Sequence, residues 1–195
     1  VAGGANLGGL ALGPLIGGVF ADYLPDPLHL PHTVFAIVLI CLAIAVALVP
    51  ETVAPQHRQY RPQRIAVPAS SRGAFVAAGF AAFAGFALFG LFTSLAPTLL
   101  VGTFGETRHL VAGVTVFLVF GSAAAAQVLL ARVSRRSQLL FAALACGIGL
   151  AAIALGAVLP SFALFLVGGV VAGAGVGALF KCALATASEI AEPGR

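Results

Sequence analysis

Five stretches of the chain contain no Asp, Glu, Lys or Arg: residues 1–21, 33–49, 73–105, 110–131 and 137–180. A helix that crosses a bilayer needs about 20 apolar residues at about 1.5 Å each. The first, second and fourth stretches fit one such helix each. The third is longer, and Pro97 with Gly102-Thr103 predicts that its helix ends near there. The last stretch has 44 residues, which as one helix would be about 66 Å long, roughly twice the hydrocarbon core. It must fold back, and Leu159-Pro160-Ser161 is the strong breaker near its middle. The pattern predicts an all-α polytopic transmembrane bundle with six spans at 2–22, 33–50, 74–97, 109–131, 138–159 and 162–185.

The basic residues support this threading. Arg58, Arg61, Arg64 and Arg72 follow the second span, Arg132, Arg135 and Arg136 follow the fourth, and Arg195 follows the sixth. The opposite connections, 23–32, 98–108 and 160–161, hold Arg108 alone. Lys and Arg accumulate on the cytoplasmic side of membrane proteins, so the first set of loops is expected inside the cell. Residues 51–72 hold four arginines and three prolines and no apolar run. They read as a cytoplasmic linker, with two spans before it and four after.

Composition sharpens the picture. Of 195 residues, 61% are hydrophobic and 8% charged, with mean hydropathy +1.10. Soluble domains have about 25% charged residues. That deficit excludes a soluble enzyme, a disordered chain and a nucleic-acid-binding domain. The net charge of +4 does not point to nucleic acid, because the basic residues sit in short gaps between apolar runs. Cys41, Cys146 and Cys182 lie apart in apolar stretches and read as small fillers, not as a metal or disulfide set. No cofactor or metal is expected: Gly173-x-Gly175-x-x-Ala178 matches a dinucleotide fingerprint in letters but no strand precedes it, and His29 and His32 near Asp26 lack further ligand spacing. No P-loop, nucleophile triad or carboxylate pair appears, which argues against a membrane enzyme and an ATP-driven pump. The Arg- and Ala-rich, Lys-poor usage points to a GC-rich bacterial genome.

Small residues recur at every fourth position in the first span (Gly9, Gly13, Gly17) and the sixth (Gly169, Gly173, Gly177). In lipid such a row makes a groove in which a second helix backbone can approach closely, so both spans are expected to pack against other helices. Pro14 should kink the first span. Phe75, Phe80, Phe83, Phe86, Phe89 and Phe92 drift around the third helix, which favours packing bulk over an aromatic cage.

The string Gly9-Leu-Ala-Leu-Gly13-Pro14-Leu-Ile-Gly17-Gly18 resembles the antiporter motif on the fifth helix of the major facilitator superfamily. Pro50-Glu51-Thr52 before the basic linker is similar to the end of the family's sixth helix. Arg132, Arg135 and Arg136 resemble the arginines of the loop motif G-x-x-x-D-R-x-G-R-R, with Gln127, Ala131 and Ser134 in place of its Gly, Asp and second Gly. The sixth span and the Glu192-Pro193-Gly194-Arg195 exit resemble the tenth helix and its loop. The resemblance implies a fragment covering helices five to ten of twelve. Residues 1–50 would then be the last two helices of the N-terminal bundle, 51–72 the linker and 73–195 the first four helices of the C-terminal bundle. It also implies a secondary transporter in the plasma membrane, working by alternating access and exporting a small organic solute in exchange for protons. Its partners would be that solute, protons, the lipid bilayer and the remaining six helices.

Gly9, Gly13, Pro14, Gly17 and Gly18 are on this reading packing and gating residues. Lys181 is the one ionised residue inside an apolar span. A charge at mid-bilayer costs about 2.5–3.5 kcal/mol on insertion scales, which marks it for substrate recognition or proton coupling. The other reading is that it snorkels toward the interface near Ser188 and Glu189. Asn6 lies within the first span, as an interhelical hydrogen-bonding or substrate-contacting residue. The alternative function is a non-transporting polytopic scaffold or sensor subunit.

Overall fold

A computed structural model describes residues 2–50 and 67–190. The expectations for residues 51–66 and 191–195, including Glu51, Arg58, Arg61, Arg64 and Arg195, lie outside the described residues. Six long helices follow one another: α1 (Ala2–Tyr23), α2 (Leu30–Ala47), α3 (Arg72–Gly102), α4 (His109–Leu129), α5 (Arg135–Val158) and α6 (Phe162–Ile190). No strand occurs among the described residues. Each helix is long and apolar enough to span a membrane. The protein is a polytopic transmembrane helical bundle.

Local chemistry sets the helix ends. Ser134 caps α5 by accepting the Ser137 N–H at 3.3 Å. Ser161, directly after the Pro160 breaker, starts α6 by accepting the Phe165 N–H on its carbonyl at 3.0 Å. Pro31 stands in the first turn of α2, where its missing N–H has no helical partner to lose. α3 departs from expectation. It passes through Pro97 and ends at Gly102, five residues beyond the predicted stop. Leu99, Leu100 and Val101 follow Pro97 and Thr98, and ending a helix within hydrocarbon would strand backbone groups that proline costs only one of. The turn that does close α3 uses Gly105 at φ 68°. Phe104 N–H reaches Leu99 O at 3.0 Å and Glu106 N–H reaches Leu100 O at 2.8 Å. α6 also outruns its predicted end at 185, so Glu189 lies within the helix.

α6 is the centre of the bundle. Its Gly173 and Gly177 lie directly on the α4 backbone at Val119 and Ala123, and Gly169 lies against Phe92 and Val119. On another face Gly168 and Gly175 meet Gly149, Ile153 and Cys146 of α5. Side chains here would hold the helices apart, so the glycines allow close van der Waals approach where no hydrophobic force drives association. The Ser122 hydroxyl bridges α4 to α6, 2.7 Å from Val119 O and 2.9 Å from Val170 O. Phe89 and Phe92 of α3 are buried, stacked on Phe120 and Phe165 with centroids 4.1 and 5.2 Å apart. Phe80 and Phe83 lie exposed on the outer face. α2 has no buried residue, and α1 docks on α4.

Candidate functional site

Two polar constellations sit at opposite ends of α4. At its N-terminal end α1 crosses it at backbone contact. A Cβ at Gly113 would lie 2.5 Å from Pro14 O, and one at Gly18 would lie 2.7 Å from His109 O. Leu7 and Ala11 continue the contact, each 1% exposed. Residues 3, 7, 11, 14 and 18 therefore form the docking face of α1, spaced by three and four as one side of a helix requires.

Asp22 closes this seam. Its Oδ2 accepts the Leu110 N–H at 2.8 Å, and its Oδ1 accepts the His109 N–H at 3.1 Å. His109 Nδ1 lies 3.0 Å from the same Oδ1. The first N–H groups of a helix have no partner within it and carry the positive end of its dipole. A carboxylate from α1 satisfies two of those groups on α4. Next to it Arg108 donates to Tyr23 Oη at 2.7 Å.

The other end of α4 is met by a cation. Lys181 Nζ of α6 donates to Gln127 O at 3.0 Å. Gln127 lies in the last turn of α4, where carbonyls lose their helical partners and the dipole is negative. α4 is thus held by an anion from α1 at its start and a cation from α6 at its end. Beside Lys181 opens a cleft of about 460 Å³ between α1, α4 and α6, lined among others by Gly3, Gly4, Gln127 and Ser188. The Gln127 side-chain Nε2 is buried and lacks a hydrogen-bond partner among the described residues. Gln138 contrasts with it. Its amide donates to Leu130 O and Val133 O at 2.8 and 2.7 Å, and its oxygen lies 3.4 Å from Cys182 Sγ.

The family model of the Major Facilitator Superfamily matches residues 1–195. The chain belongs to the major facilitator superfamily. It is accordingly a transporter of the major facilitator type and not an enzyme. No curated protein and no solved structure matches it.

In this superfamily member the residues singled out in the sequence are distributed as follows. Of the Gly-Pro string, Gly18 is buried in the seam, and Pro14 contributes its carbonyl there. Gly9, Gly13 and Gly17 are exposed, and a Cβ on any of them would meet nothing within 4 Å among the described residues. The every-fourth row of α1 is therefore turned away from α4, about 120° round the helix from the docking face at 100° per residue. Asn6 is exposed on α1. Arg132 and Arg136 are exposed; Arg135 forms a two-pronged ion pair with Glu189, with Nη1 2.9 Å from Oε2. Glu189 is thereby engaged at the α5 terminus and does not meet Lys181. Sequence reading missed His109 and Gly113, and it assigned no partner to Asp22, Gln127 or Glu189. A carboxylate closing one apolar span and a His-Leu pair opening another was the available signal.

Proposed function

We propose that this transporter exports a small organic solute in exchange for protons by alternating access, with residues 1–50 belonging to one bundle, 73–195 to the other and 51–72 the linker between them. The Arg132–Arg136 end faces the cytoplasm of a bacterial plasma membrane. The α1–α4 seam carries this reading. It joins the chain before the linker to the chain after it through glycine-lined backbone contact. Its polar closure at Asp22 is non-covalent and reaches solvent at His109, whose side chain is 71% exposed. Such an interface slides or parts at small cost, as rocking of two bundles requires. Gly18 and the Pro14 backbone form the moving contact, while Gly9, Gly13 and Gly17 present a second face to the remaining helices of the same protein. Lys181 and Asn6 are the groups offered to solute or proton, and Arg132, Arg135 and Arg136 border the inner loop.

The test is reconstitution of the full-length protein in proteoliposomes with an internal pH-sensitive dye, under an imposed proton gradient and a panel of small organic solutes. Solute movement that collapses the gradient is the expected result. Solute movement indifferent to the gradient removes proton coupling, and no movement across the panel removes the export reading.

A further inference from the structure

We infer that the cleft between α1, α4 and α6 binds an anionic group, a carboxylate or phosphate, through Lys181 Nζ, and that the group belongs to the carried solute. The last clause rests on the transport reading; the anion site itself does not. Lys181 Nζ has three donors, and its one partner among the described residues is the neutral Gln127 carbonyl. No carboxylate lines the cleft among the described residues. The acid closest in sequence on the same helix, Glu189, is held by Arg135. A half-buried cation in an apolar span with only a carbonyl for company is under-neutralised.

A cation at the wall of a cleft, without a counter-ion among the described residues, specifies an acceptor that is itself negative. The cleft volume of about 460 Å³ falls in the range of small-molecule pockets, about 300–1,000 Å³. Val128, Leu184 and Ala185 supply apolar wall, which matches an organic anion with an apolar body better than inorganic phosphate. An anionic lipid headgroup presents the same chemistry, and the experiment separates the two.

Lys181 is the one lysine of these 195 residues, so its acylation reports the site directly. The full-length protein in phosphatidylcholine nanodiscs is treated with an amine-acylating reagent, and modification of the Lys181 peptide is followed by mass spectrometry. Sodium benzoate at constant ionic strength is expected to slow that modification several-fold relative to sodium chloride, with inorganic phosphate weaker. Unchanged acylation with benzoate, phosphate and added phosphatidylglycerol alike overturns the site, a result that needs no variant to fold. Protection by phosphatidylglycerol alone overturns the solute as occupant and assigns a lipid headgroup. Benzoate protection without transport in proteoliposomes overturns the transport reading and leaves the site standing, whereas transport without protection does the reverse.

Discussion

At the residue scale, single side chains satisfy helix termini that belong to other helices. Asp22→Ala removes acceptors from two α4 amides and should lower Tm in detergent by a few degrees. Asp22→Asn keeps an oxygen acceptor and should lose less, and equal loss in the two would refute capping as the role of Asp22. The Arg135–Glu189 pair is a contrasting case. Its side chains are 44% and 62% exposed, and exposed ion pairs contribute little. Glu189→Gln should leave Tm nearly unchanged; a large drop would show that the pair anchors α6. These partnerships were not legible in the sequence. Asp22 and His109 are 87 positions apart, and Lys181 and Gln127 are 54 apart. Neither spacing follows any local periodicity.

At the element scale, the seam between α1 and α4 depends on two glycines that meet backbone. Gly113→Leu drives a side chain into the Pro14 carbonyl, and overpacking of this kind costs about 1–3 kcal/mol. Chemical denaturation in detergent should show that loss. Gly13→Leu meets nothing within 4 Å among the described residues and should leave the seam intact. It should still stop solute export by the full-length protein, because that face is assigned to the remaining helices. Wild-type export with normal expression would remove Gly13 from the gating residues. The small-residue rows themselves were plain in the sequence of both α1 and α6. In α6 the row lies on α4; in α1 it lies about a third of a turn round from the contact. A row of glycines shows that a close approach is possible on that face, but not which helix occupies it.

At the scale of the whole molecule, one end of the bundle carries Asp22, Tyr23, Arg108 and His109, and the other carries Lys181, Arg132, Arg135 and Glu189. An Asp22→Cys/His109→Cys pair should form a disulfide under mild oxidation and halt export, with recovery on reduction. Export that continues through the cross-link would exclude opening of this seam from the transport cycle. Cysteines at Ser134 and Thr107 should label from the cytoplasm and the exterior respectively, and the reverse pattern would invert the assigned orientation.

Hydrophobicity along the chain determined by itself that the described residues form six long helices, that they cross a membrane, and where most of them turn. The cost of placing charge or unpaired backbone in hydrocarbon acts on each segment regardless of its neighbours. Even there Pro97 misled, because a helix in lipid tolerates the loss of one hydrogen bond sooner than it ends. Tertiary structure alone decided the rotation of each helix about its axis. Spans that are apolar on every side do not specify which face turns inward. Close packing of α1 on α4 and of α4 on α6 chose those faces, and so brought Asp22 to one terminus of α4 and Lys181 to the other.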